Sequence, residues 1–140
     1  MAHIEYVKDV EDVIWKRLGE EFEKYSNDNG ISCNYSDFSF LAREDEEVIG
    51  IIAGCAYYEE VYIRDLIVYE GHRHKHIGTE LLKAVEEYYK DKGYKHMSLN
   101  TYHFQAPEFY KKHGFQLEFI RESKEEPRLN RYFYIKHFGK

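Results

Sequence analysis

Residues 69–82 read YEGHRHKHIGTELL, in which His72, Arg73, His74, Lys75 and His76 run together just ahead of Ile77 and Gly78. Five basic-type side chains at the entrance to a helical run could do three kinds of chemistry. On a strand, His-x-His-x-His would set three imidazoles on one face and could ligate zinc, copper or iron. Here, however, period-2 geometry has ended at Gly71, and no carboxylate cluster follows at a ligand spacing. At a helix entrance the first amides are unpaired, and together with the macrodipole they favour an anion such as a phosphate. Arg73 and Lys75 would add charge, Gly78 would let a ligand approach the backbone, and the histidines would add donors that change charge near pH 7. The third reading is a solvated turn.

Positioning that turn requires a strand before it and a helix after it. The segment EEVYIRDLIVYE is β-branched and apolar in its second half, as a buried strand should be. From Ile77 to Lys90 an apolar stripe of Ile77, Leu81, Leu82, Val85, Tyr88 and Tyr89 predicts an amphipathic helix that Gly93 ends. Upstream, HIEYV (residues 3–7) alternates like a short strand. Asp9 is placed to cap a helix carrying Val10, Val13, Ile14, Leu18, Phe22 and Tyr25 that stops near Gly30. DFSFLARE and VIGIIAGCAYY read as a hairpin around the polar tip EDEE, with Gly50 and Gly54 weakening the second strand. Downstream come a strand (YKHMSLNTY), a short helix with Pro107 in its first turn, and two alternating strands, FQLEFIRE and RYFYIKHF, around SKEEPRLN. The last of these should place Tyr132, Tyr134 and Lys136 on one face and Phe133, Ile135 and His137 on the other.

The predicted order is therefore β-α-β-β-β-α-β-α-β-β. The single helical crossover should leave the strands either side of it parallel within an otherwise antiparallel sheet. That is a mixed α/β (α+β) architecture, not a doubly wound one. With 140 residues, 43% hydrophobic and 17% aromatic, and with no linker, repeat or low-complexity block, residues 1–140 read as one domain. No apolar run reaches the length of a bilayer span, and no signal peptide is visible, so no membrane partner is expected. Cys33 and Cys55 form no CxxC pair, which argues against a disulfide scaffold and fits a reducing cytoplasm. The net charge of −6 argues against nucleic-acid binding and fits solubility, although an acidic surface could also draw in a cation.

A second motif lies downstream of the basic turn: HFQAPEFYKKHGF, residues 103–115. With LIVYEGHRHKHIGTELL it resembles the two signatures of the GNAT superfamily of N-acetyltransferases. Arg73 and Gly78 match the ends of the acetyl-CoA motif Arg/Gln-x-x-Gly-x-Gly/Ala, and His76 stands at its first glycine. Ala106, Phe109, Tyr110, Gly114 and Phe115 match the second signature, with His103 in place of an asparagine. The element order matches over about residues 3–138. A histidine at position 76 is accommodated if its backbone is helical and its side chain turns away, whereas a positive φ there would favour glycine.

The resemblance implies a sheet with a splayed parallel pair and flanking helices, and direct transfer of acetyl from acetyl-CoA to an amine of a small molecule or peptide. It implies that pantetheine lies along the backbone of Leu66, Ile67 and Val68. The pyrophosphate would meet Arg73, His74, Lys75, His76, Ile77, Gly78 and Thr79, with His103 and Ala106 also near the cofactor, and no metal. Tyr110 would protonate the leaving thiolate. Asp65 and Glu60 are candidates for amine recognition or for removing its proton through water, and equally for surface ion pairs, Asp65 with neighbouring Arg64. The family's final strands border the acceptor cleft and in some members a homodimer partner. Two further readings remain beside the enzyme: an acyl-CoA-binding module without catalysis, and a histidine-turn metal protein.

Overall fold

The computed structural model describes residues 1–139, in two units, Met1–Cys33 and the described residues from Asn34 onward. The first holds one helix, α1 (Asp12–Asp28), braced by the i,i+4 pairs Arg17–Glu21 and Lys24–Asp28 at 2.7 and 2.8 Å. Such pairs contribute a few tenths of a kcal/mol each. The helix ends at Asn29, and Gly30 follows with φ +72°. Two expectations change here. The N-cap is Glu11, whose side chain makes no capping bond, so the helix begins too far along the chain for Asp9 to cap it. Residues 3–7 form no strand, because alternation over five residues supplies no ladder partner of its own.

The second unit contains β1 (Ser36–Glu44), β2 (Glu47–Tyr57), β3 (Glu60–Val68), α2 (Ile77–Tyr89), β4 (His96–Tyr102), α3 (Pro107–Lys112), β5 (Gln116–Arg121), a 3-10 turn (Pro127–Leu129) and β6 (Arg131–His137). The six strands form one sheet in the order β1-β2-β3-β4-β6-β5, antiparallel throughout except for β3 and β4. This is the mixed architecture that the crossover predicts. The β1–β2 hairpin turns through Asp45 and Glu46, both at positive φ (+51° and +70°), the hand that matches strand twist in a two-residue turn.

Helix α2 lies against β1, β2 and β3 and buries Leu81, Leu82, Val85 and Tyr89. These meet Phe38, Ile52, Val61, Met97 and Leu99 from the sheet. Tyr110 of α3, Phe115 and Tyr134 extend the same core toward β6. Ile52 and Val85 are fully buried, which contributes about 1.5–3 kcal/mol for each side chain. In β6, Tyr132 and Tyr134 share one face, as their alternation predicts, and stack at 6.4 Å on the core side. Among the described residues no helix is long and apolar enough to cross a membrane.

Candidate active site

The site begins with a glycine. A Cβ at Gly54 would lie 2.0 Å from the Tyr62 carbonyl oxygen and 3.0 Å from the Arg64 nitrogen, so only glycine allows β3 to come this close to β2. The register explains the crowding. Gly54 pairs with Ile63 and Ala53 pairs with Asp65, which leaves Arg64 as an extra residue, a β-bulge on β3. A bulge bends its strand and sharpens its twist. The parallel ladder between β3 and β4 accordingly has only three pairs, Glu60–His96, Val61–Met97 and Tyr62–Ser98, and then stops.

Past that point the two strands diverge around a cleft of about 300 Å³. Its walls are residues 63–67 of β3 and Leu99, Asn100 and Thr101 of β4; Gln105, Ala106 and Tyr110 close it from the α3 side. The Gln105 side chain is fixed there, its Oε1 accepting from Thr101 Oγ1 (3.1 Å) and the Tyr102 amide (2.9 Å). A larger depression of about 540 Å³ lies along Lys83, Glu86, Lys90 and Phe138, but it is open and lined by solvated charges of α2. The cleft is the better site, because there unpaired strand edges face one another.

Tyr110 is buried, with only 9% of its surface exposed, among the rings of Phe109, Phe115 and Tyr134. It lines the cleft, and its hydroxyl makes no hydrogen bond to any described residue. Desolvation pushes its pKa up to about 12. The phenol therefore keeps its proton throughout the neutral range and is an unengaged donor on a residue that lines the opening.

The basic turn is built mostly on itself. Arg73 Nε donates to the Val68 carbonyl at 2.9 Å, tying the turn back onto the end of β3. His72 Nδ1 is buried without a hydrogen bond, 3.8 Å from Glu44 Oε1, which is too far for one. His74 and His76 both have positive φ, +67° and +62°. His76 is the N-cap of α2, so the left-handed conformation that favours glycine is present at the position where the resemblance has glycine. Its side chain makes no capping bond, which leaves the first amides of α2 without a side-chain partner. Such amides, with Arg73 and Lys75 nearby in the chain, suit an anion. Among the described residues no three His, Cys, Asp or Glu side chains gather as a metal site.

Two residues of the turn serve packing rather than ligand approach. The Cβ direction of Gly78 points at the Phe109 ring, 3.1 Å away, so the glycine makes room for α3 against α2. Thr79 Oγ1 lies 2.8 Å from His113 Nε2, and His113 Nδ1 lies 2.7 Å from the Phe109 carbonyl. Since a carbonyl only accepts, Nδ1 is the donor to Phe109, and in the neutral imidazole the Thr79 hydroxyl then donates to Nε2. His113 thus staples α2 to α3.

The remaining expected residues separate. Leu66, Ile67 and Ala106 line the cleft with Tyr110 and Asp65. Val68 does not, and its carbonyl is taken by Arg73. The Asp65 carboxylate is exposed and accepts from Arg64 Nε at 3.0 Å. Glu60 sits where the parallel ladder begins, outside the cleft lining; it accepts from Ser98 Oγ and lies 3.5 Å from His96 Nε2. His103 Nδ1 is 2.9 Å from the Tyr132 hydroxyl, with the rings stacked at 5.8 Å, and it too is outside the lining. Sequence reading missed Gly54, Gln105 and Asn100. Gly54 carried a signal, since an isolated glycine in a strand marks a bulge or a close approach. Asn100 carried none.

With this geometry in view, the comparisons with known proteins are specific. The family described as "Acetyltransferase (GNAT) family" matches residues 7–115. An uncharacterized N-acetyltransferase in the lysA 3′ region of Bacillus methanolicus is 41% identical over 54 residues, 38% of this chain; the match spans 45% of that relative's length. An acetyltransferase structure from Bacillus cereus ATCC 14579 superposes with a TM-score of 0.74 at 24% identity, covering 95% of this chain and 97% of the other. An aminoglycoside 6′-N-acetyltransferase complexed with coenzyme A gives 0.64 at 16% identity, with 74% of each chain covered.

Proposed function

Since the chain belongs to the GNAT acetyltransferase family, and so to a family of acetyl-CoA-dependent transferases, we propose that it moves acetyl from acetyl-CoA directly to an amine of a small molecule or peptide, as a single-domain cytoplasmic enzyme. The observation that carries this reading is the unengaged hydroxyl of Tyr110 in the lining of the cleft between β3 and β4.

Acetyl-CoA supplies the acetyl group as a thioester. The chain's own groups fit it along its length. The open edges of β3 and β4, at Leu66 and Ile67 on one side, offer backbone partners to an extended amide-bearing arm. The uncapped amides at the start of α2, with Arg73, His74 and Lys75, suit the phosphates. At the reacting end, Tyr110 acts on the sulfur. Full transfer of a phenolic proton of pKa about 12 to a thiolate of pKa about 8.5 is uphill. The role that fits is a hydrogen bond that strengthens as negative charge develops on sulfur, stabilising the transition state more than the ground state.

A primary ammonium has a pKa of about 10.4, so the incoming amine must lose a proton before it attacks. Asp65 is the acid of the cleft wall and takes that proton through water, while Glu60 is held by Ser98 away from the lining. The test is thiol release from acetyl-CoA over a panel of amines, beside calorimetry with acetyl-CoA. Binding and turnover are the expected result. Binding without turnover for any amine would leave an acyl-CoA-binding module, and no binding would overturn the proposal.

A further inference from the structure

The sheet face opposite the core carries an arrangement that acetyl transfer leaves unused. Arg121 of β5 and Arg131 of β6 are directly opposed in the antiparallel ladder. Like charges at such positions repel. Arg64 and Arg128 each hold a carboxylate, but among the described residues neither Arg121 nor Arg131 forms an ion pair. They share an aromatic floor instead. The Arg121 and Arg131 guanidinium carbons lie 5.0 and 5.6 Å from the centre of the Phe133 ring, and Arg131 lies 5.4 Å from that of Tyr102. Phe133 is itself stacked on Phe119 at 4.3 Å.

Arg131 is aimed by a single bond. Its Nε donates to Asn100 Oδ1 at 2.8 Å, which fixes the guanidinium plane and leaves its terminal nitrogens unengaged. Asn100 is part of the cleft wall, and its Nδ2 donates to the Tyr62 hydroxyl at 3.3 Å. Arg131 is thus one hydrogen bond removed from the wall of the cleft that the acetyl-transfer reading gives to the amine. In a chain of net charge −6, two opposed guanidiniums on one aromatic plate form a local positive patch, and an anion held between them would relieve their repulsion. A planar guanidinium offers forked donors to a carboxylate or a phosphate.

We infer that the acceptor amine carries an oxyanion group, which Arg131 and Arg121 hold while the amine lies in the cleft. This inference rests on the acetyl-transfer reading and names the substrate class of that same site. It sets the acceptor apart from purely cationic amines such as polyamines.

The experiment follows thiol release with amino acids against their carboxamides, phosphoethanolamine against ethanolamine, and spermidine as a cation without an oxyanion. At least one oxyanion-bearing amine should exceed its neutral match by about 10- to 100-fold in kcat/KM, mostly through KM, as charge-assisted hydrogen bonds allow. The larger ratio identifies carboxylate or phosphate. Arg131→Gln should bring that ratio toward unity, and Arg131→Lys, which keeps the charge without the fork, should restore only part of it. Arg121→Gln, on the exposed edge strand, repeats the test without touching the Asn100 bond. Turnover of spermidine or the neutral amines at equal or higher efficiency overturns this inference and leaves acetyl transfer standing. A preference that survives both glutamine variants also overturns it. Turnover of none of the amines, with acetyl-CoA bound, overturns it together with the enzyme reading.

Discussion

Gly54 and His76 are inverse cases. At Gly54 the structure leaves no room for a side chain, because the bulge at Arg64 brings backbone atoms to where a Cβ would be. At His76 the backbone has left-handed dihedrals, φ +62° and ψ 15°, and carries an imidazole all the same. The first position is fixed by contact between two backbones, which nothing nearby can relieve. The second is fixed by conformation, which costs roughly 1–2 kcal/mol for an L-residue and leaves space around it. The two halves of the site therefore differ in tolerance. At Gly54 the strand beside the cleft permits no side chain, while at His76 the turn accepts one at a modest cost.

The largest effect should come from Gly54→Ala. The added carbon would meet the Tyr62 oxygen at 2.0 Å, so the bulge must be lost or the strands must part. A destabilisation of about 3 kcal/mol or more is expected, visible as a fall in the denaturant midpoint, with acetyl-CoA affinity falling too. Unchanged stability would mean that the two positions do not differ as argued.

Tyr110→Phe tests the cleft's chemistry apart from its shape. It should lower kcat by about 10², the scale for losing one hydrogen-bond donor to developing charge, with KM for acetyl-CoA near wild type in single-turnover and steady-state assays. The same variant should alter alkaline stability. Folded Tyr110, at about 12, holds its proton more tightly than an unfolded tyrosine at about 10. Its contribution is complete below pH 10 and is lost as pH rises toward 12, by about 2 kcal/mol. Alkaline unfolding of the phenylalanine variant should therefore be shallower than that of wild type.

On the turn side the effects should be smaller. Arg73→Ala should weaken CoA binding about tenfold, and added salt should weaken the wild-type complex, both read by calorimetry. An unchanged dissociation constant would reduce Arg73 to its bond with the Val68 carbonyl. Smallest of all, His76→Gly should leave CoA binding equal or better. It should stabilise the fold by about 0.5–1 kcal/mol, since strain is relieved at some cost in unfolded-chain entropy. A large loss of affinity would show instead that the imidazole itself holds ligand.

Much of this was legible in the sequence, and what was not has a physical pattern. Periodicity located the strands and helices because burial of one face imposes it, as in Leu81, Leu82 and Val85 of α2. The resemblance put Tyr110 on a short helix, and α3 carries it, its ring buried in the core. Residues 3–7 misled, because a strand needs a partner that alternation cannot supply. Gly78 misled in another way: a glycine at a helix entrance invites a ligand reading, whereas here its missing side chain accommodates Phe109. Arg121 and Arg131 could not be paired from sequence, since their opposition depends on a register that skips Glu118.

The three-pair ladder between β3 and β4 has one more consequence. A strand edge with unpaired backbone groups ordinarily templates another chain and invites aggregation. This sheet has two such edges in its interior besides the outer ones at β1 and β5. They face each other and converge at Tyr62 and Ser98, so a stray strand that pairs with one meets the other at an angle. The divergence that opens the cleft thereby also shelters it, and the protein keeps a backbone ready to pair without exposing it to other copies of itself.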